Sequence, residues 1–247
     1  MPKWRRKTIM AERITGEAVH RIVTEQRLLS IREIPRGIGD LIKIESIIFV
    51  GSSCVGKSTL ERAVRAASLE DPLLSRRVGI PQRVVTRPPR SDDGNDIYFC
   101  SQDEFTRLAS AGELGLYGVK IMEGGRQEPY GYLQPEKGHL PIFFANNQTL
   151  KNRVTTQPEG ILESALVILI YAPDYIREER LRARSPQLFE DSPDEVAFRL
   201  SREERAIGLA PNAHLIVKNY RKFASRSAED TIGLIKGIVE VFNGRRC

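Results

Sequence analysis

The residues best placed to do chemistry form the string Gly51-Ser52-Ser53-Cys54-Val55-Gly56-Lys57-Ser58, with Thr59 next. The string fits the spacing GxxxxGK[ST]. Its glycines let the backbone curl so that successive N–H groups face one anion, and a helix starting at its end adds a partial positive charge. Lys57 is then expected at the β- and γ-phosphates of a nucleoside triphosphate, and the Ser58 hydroxyl on Mg²⁺. The string lies between the apolar run Ile47 to Val50 and a helix-like stretch from Ser58 to Ala67, the context this chemistry needs.

Two further clusters carry positive charge. Thr86-Arg87-Pro88-Pro89-Arg90 sets two arginines three apart on a proline-stiffened turn, a forked clamp for a phosphate or carboxylate. Tyr130 offers a hydroxyl to the same group. From Arg180 to Arg199 the chain is rich in arginine, including Arg182 and Arg184. A lid of that composition can close over a triphosphate and neutralise charge that develops during transfer. Cys54, Cys100 and Cys247 have no metal-ligand spacing and cannot make a disulfide framework. His20, His139 and His214 are scattered and read as structural.

A loop of this kind serves several enzyme classes, so the rest of the chain must choose among them. A GTPase is expected to carry an Asn-Lys-x-Asp string, and none occurs. A motor or transporter ATPase is expected to carry an apolar strand ending in Asp. Here Pro141 to Ala145 runs into Asn146, and Leu166 to Tyr171 is followed by Ala172 and Pro173 before Asp174. Kinases are the large class that remains.

The elements that must position these residues follow from periodicity. The chain has 247 residues, 40% hydrophobic and 28% charged, enough for one domain with an appendage. No apolar run approaches 18 residues and no signal segment follows the basic N-terminus, so a cytoplasmic protein without a membrane span is expected. Residues 1–44 carry ten Lys or Arg against five acids, while residues 45–247 are nearly neutral. This basic extension, with a helix expected over residues 10–29 and a boundary near Lys43, reads as a solvated helix on its own domain or as a contact to nucleic acid. The body alternates strands and helices, which predicts a parallel sheet covered by helices. Strands are expected at Ile47–Val50, Arg83–Thr86, Ile97–Cys100, Pro141–Ala145, Leu166–Tyr171 and His214–Val217. Helices are expected at Ser58–Ala67, Asp194–Ile207 and Ala228–Phe242, and one after Ser101, whose spacing to Glu104 makes a capping box.

At this point the sequence resembles the guanylate kinase family. The resemblance runs roughly from Lys43 to Asn243. It rests on the loop, on Thr86 to Arg90, on the turn and aromatic strand around Asp96-Ile97-Tyr98-Phe99, on the Ser101-to-Phe105 helix start, and on Tyr130-Gly131. It implies a P-loop NTPase-type α/β fold with an acceptor-binding subdomain near 80–138 and a lid near 182–200. It also implies ATP and Mg²⁺ as cofactors, with Arg87, Arg90 and Tyr130 on the acceptor phosphate and Arg184 and Arg199 as the lid arginines. Some positions depart from that family. Arg83 stands where guanylate kinases read guanine with Ser, Leu116 where they use Glu, and Asn146 at an acidic position. The shorter turn, with Ile97 where guanylate kinases carry Tyr and Leu116 at the base-reading position, resembles the related ribose 1,5-bisphosphokinases instead, although those generally lack the arginine that Arg90 supplies. Three readings stay open on sequence: a kinase for a phosphate-bearing small molecule, a true guanylate kinase, and a non-catalytic module that binds a phosphorylated partner.

Overall fold

The computed structural model describes residues 44–89, 93–121, 125–145, 165–207, 215–219 and 224–243. The helix expected over 10–29, the boundary near Lys43, Arg90, Asn146 and His214 lie outside the described residues.

Five strands form one parallel sheet. They are β1 (Ser46–Val50), β2 (Val78–Gly79), β7 (Leu140–Ala145), β8 (Ala165–Tyr171) and β9 (Leu215–Lys218), in the order β2-β7-β1-β8-β9. The sequences SIIFV and ALVILIY are apolar almost without alternation because both faces of a parallel sheet are covered. Side chains still alternate in direction. Ile47, Phe49, Ile168 and Ile170 pack with Leu60 and Val64 of α1 (Lys57–Glu70), Leu74 of α2 (Pro72–Arg77) and Leu234, Ile235 and Ile238 of α7 (Ala224–Asn243). Ile48, Val50, Val167, Leu169 and Phe143 face the other way, onto Leu116 and Tyr132 of a second sheet.

That second sheet is built from β3 (Arg83–Val85), β4 (Ile97–Phe99), β5 (Leu114–Ile121) and β6 (Gln127–Leu133), in the order β4-β3-β6-β5. β3 runs parallel to β4, and the pairs β3–β6 and β5–β6 are antiparallel. The β5–β6 hairpin escaped the sequence reading, because Gly115, Gly118 and Gly131 interrupt its apolar pattern. Gly131 has a steric reason: a Cβ there would sit 2.7 Å from Tyr117 Cβ and 2.9 Å from Leu116 O. The Tyr132 hydroxyl reaches the main sheet, donating to Phe144 O at 2.8 Å and accepting from Phe144 N at 3.2 Å.

Caps set the helix starts. Ser101 Oγ accepts from Glu104 N at 3.1 Å and opens α3 (Gln102–Ser110) as expected. The Glu104 carboxylate, however, takes Arg107 Nε and Nη2 at 2.9 and 3.0 Å, so the reciprocal half of the expected capping box gives way to an ion pair. Asp71 accepts from Leu73 N and Leu74 N and caps α2, an element absent from the sequence reading. The arginine-rich run folds as α4 (Asp174–Arg184), α5 (Pro186–Asp191) and α6 (Pro193–Ile207). Among the described residues no helix is long and apolar enough to cross a membrane.

Candidate active site

The glycine-rich loop joins the carboxyl end of β1 to α1, where parallel sheets present their ligand sites. Two backbone positions shape it. Cys54 has φ 63° and Gly56, at the N-cap of α1, has φ 101°. Only glycine holds the second without strain, and a Cβ at Gly56 would also lie 2.1 Å from Asn219 Nδ2. Gly51 is equally confined, since its Cβ would meet Ile170 O at 2.7 Å. Val55 is buried in the core, which pins the loop from beneath, while Ser58 and Thr59 are exposed at the start of the helix. Lys57 Nζ donates to Gly51 O and, at 2.6 Å, to Ser52 O, folding the side chain back over the loop.

Three donors from distant sequence hold the next carbonyls. Arg177 Nε donates to Ser53 O at 3.0 Å, Arg180 Nη1 to Cys54 O at 3.2 Å, and Asn219 Nδ2 to Val55 O at 2.7 Å. Asn219 is itself fixed at the end of β9, its N–H donating to Tyr171 O at 2.7 Å. Burial pulls the Arg180 guanidinium below the usual arginine value. Of these three, Arg180 stands in the sequence only as the start of the arginine-rich run, and Arg177 and Asn219 carry no motif. Arg177 lies four residues before buried Leu181, on the same face of α4, so a charge in an apolar stripe was the available signal.

Arg87, expected on the acceptor phosphate, follows β3 and makes a two-pronged pair with Asp93, Nη1 to Oδ2 at 2.7 Å and Nη2 to Oδ1 at 2.5 Å. Its guanidinium also stands 5.8 Å from the Phe99 ring centroid. The fork geometry expected for anion recognition is thus present and set against an internal carboxylate. Tyr130 lies on β6 opposite Val85 and Gly118 and packs against the cluster that contains Val50, the last residue of β1.

Beneath it a row crosses the second sheet. Arg83, Tyr132 and Leu116 are cross-strand partners, and Tyr132 and Leu116 are each 0% exposed. Arg83 Nη2 donates to Glu61 Oε2 in α1, and Glu61 Oε1 accepts from Arg65 Nη2 at 3.1 Å. Arg65 also lies 3.7 Å from Asp96 Oδ2. Burial pushes the Tyr132 phenol up to about 12, so it stays a neutral donor to Phe144 O.

The two arginines expected in a lid, Arg184 and Arg199, sit differently. Arg199 on α6 is braced by Glu195, Nε to Oε1 at 2.5 Å, and Arg184 is exposed in the last turn of α4. Among the described residues no group of three His, Cys, Asp or Glu is arranged to hold a metal.

The comparisons with known proteins fit this geometry. No protein-family profile matches the chain. Over 164 residues it is 30% identical to ribose 1,5-bisphosphate phosphokinase PhnN of Methylobacterium radiotolerans, covering 64% of this chain and 81% of that protein. Over 180 residues it is 29% identical to a guanylate kinase of Thermosynechococcus vestitus, covering 70% and 84%. Among solved structures, guanylate kinase from Anaplasma phagocytophilum shares the fold at a TM-score of 0.50 and 21% identity, over 81% of this chain and 86% of that one. A parallel sheet with a glycine-rich loop at the carboxyl end of its central strand, a second mixed sheet packed on it, and relatives that are kinases all agree: the chain belongs to the guanylate kinase-like family of kinases.

Proposed function

We propose that the chain transfers the γ-phosphoryl group of ATP to a phosphate carried by a small sugar, in preference to a nucleoside monophosphate such as GMP. The observation that carries this reading is the filled row Arg83–Tyr132–Leu116. Arg83 and Leu116 are the positions at which the resemblance puts guanine-reading Ser and Glu. Here Leu116 and Tyr132 are fully buried against Ile48, Val50 and Phe143. Guanine brings N1–H and N2–H₂ donors, and each one buried without an acceptor costs about 1–3 kcal/mol. A phosphosugar makes no such demand. The likeness to a ribose 1,5-bisphosphate phosphokinase supports the same acceptor class.

In this reading the second sheet and α3, within residues 80–138, form the acceptor side, and residues 182–200 form the lid. Arg87, Arg90 and Tyr130 hold the acceptor phosphate, so Arg87 exchanges the Asp93 carboxylate for a phosphate oxygen pair. Lys57 releases the Gly51 and Ser52 carbonyls and turns to the β- and γ-phosphates. Arg184 and Arg199 neutralise the transferring group. The exposed Ser58 hydroxyl suits Mg²⁺, which takes few protein oxygens and keeps waters and substrate phosphates for the rest. There the ion would offset charge developing during the transfer, with Ser58 as its protein oxygen. Positioning and charge neutralisation carry the rate, with no covalent intermediate on the protein.

Steady-state turnover with ATP and Mg²⁺ tests the acceptor, with GMP measured beside ribose 1,5-bisphosphate and other phosphosugars. A phosphosugar is expected to give the highest kcat/KM. GMP turnover at about 10⁴ M⁻¹s⁻¹ or more, above every other acceptor, overturns the reading in favour of a true guanylate kinase.

A further inference from the structure

Three consecutive carbonyls of the glycine-rich loop, those of Ser53, Cys54 and Val55, are held by Arg177, Arg180 and Asn219. The described peptide bonds are trans, and a trans peptide is planar with its N–H antiparallel to its C=O. Fixing those carbonyls therefore fixes the N–H groups of Cys54, Val55 and Gly56 and turns them away from α4 and the end of β9. Successive N–H groups of such a loop are what an anion binds.

Arg177 does more than the other two. Its side chain is 0% exposed, so it reaches no ligand itself. Besides Ser53 O, it donates Nη1 to Leu200 O at 3.0 Å and to Asp174 Oδ1 at 2.9 Å, and Nη2 to Arg199 O at 2.9 Å. One flat guanidinium thus spans from the loop to the middle of α6, at the residue whose side chain Glu195 braces. Burying a charge is costly, and an apolar side chain in its place commonly stabilises a fold as well or better. Its carboxylate partner, Asp174, is 73% exposed and gives little in return. The arrangement serves geometry better than it serves stability.

We infer that Arg177 is a positioning residue that presets both halves of the triphosphate site. It holds the loop N–H groups and the backbone of Arg199 at a fixed separation, and Arg180 and Asn219 complete the orientation of the loop. The inference rests on reading the loop as a triphosphate site. A lysine cannot substitute, because one ammonium cannot span the Nε and Nη positions that the fork occupies.

Calorimetric binding of inorganic tripolyphosphate to the full chain tests this, for wild type, Arg177→Lys, Arg177→Met and Asn219→Ala, with ligand-free unfolding temperatures beside it. Each folded variant is expected to bind at least about tenfold more weakly, equivalent to about 1.4 kcal/mol. In turnover, KM for ATP is expected to rise while KM for the acceptor holds, a split that general loosening of the fold would not give. Should the Arg177 variants fail to fold, Asn219→Ala, which removes a single side-chain donor to the same loop, decides the question. Wild-type affinity in the folded variants, or its full rescue by Arg177→Lys, overturns the inference. If the wild type itself fails to bind tripolyphosphate, the triphosphate reading falls, and this inference with it.

Discussion

Replacing Gly56 with alanine perturbs the loop at its tightest point, and the structure sets the size of the effect. Two costs combine. The residue sits at φ 101°, outside the region an L-residue adopts, which costs about 1–2 kcal/mol. The new Cβ would also stand 2.1 Å from Asn219 Nδ2, so the carboxamide must retreat by more than an ångström. At that displacement its 2.7 Å bond to Val55 O is lost, costing about a further 1 kcal/mol. The sum is about 2–3 kcal/mol, and a chain of this size loses about 2–4 °C of Tm per kcal/mol. Gly112→Ala is the matched control. Gly112 has φ 70°, but nothing lies within 4 Å of its Cβ position, so only the backbone term applies. Thermal unfolding followed by circular dichroism should put Gly56→Ala about 2–4 °C below Gly112→Ala. Equal melting temperatures would refute the claim that Asn219 and Gly56 are sterically coupled.

Lys57→Ala should remove phosphoryl transfer while leaving Tm within a few degrees, because the ammonium lies over the loop and donates to the carbonyls of Gly51 and Ser52, outside the apolar core. Loss of such a charge-stabilising donor costs about 3 kcal/mol or more in the transition state, and unchanged turnover would contradict Lys57's role. Asp71 joins α2 to α7, and the Lys236 ammonium at 2.6 Å, with the Leu74 N–H, holds its carboxyl below the usual aspartate value. A depressed folded pKa gives stability that is present above the unfolded value near 3.9 and lost as pH falls through the folded one. Asp71→Asn should therefore lower Tm at pH 7 by an amount that shrinks as the pH falls through the folded value of Asp71, whereas a pH-independent offset would rule this out.

What the sequence revealed and what it hid have distinct physical origins. The loop was legible because its spacing encodes a backbone shape, and Ile47–Val50 and Leu166–Tyr171 because unbroken apolar runs mark strands covered on both faces. The ends of α7 and the close of β9 differ from expectation by one to four residues, since fraying ends leave little pattern. The β5–β6 hairpin was hidden by glycines whose purpose is close cross-strand approach, a property of the partner strand rather than of local sequence. Leu116 and Arg83 were noticed singly as departures from the guanylate kinase pattern. That Tyr132 stands between them and closes the row is a fact of register, visible only once the strands are paired. Arg177 and Asn219 act across more than a hundred residues of chain, on a loop whose own residues give no hint of them.

The phenol of Tyr132 has a consequence for how the main sheet ends. β2 covers β7 only at Leu140 and Pro141, so further along β7 the outward peptide groups lack a strand neighbour among the described residues. At Phe144, one hydroxyl satisfies both the N–H and the C=O, as an adjoining strand would. A bare strand edge is a template for pairing with another chain, and proteins protect such edges by covering or interrupting them. Tyr132 therefore blunts an adhesive margin with a single side chain. Among the described residues the sheet is terminated there without a further strand, and the surface it would otherwise offer to association is closed from within.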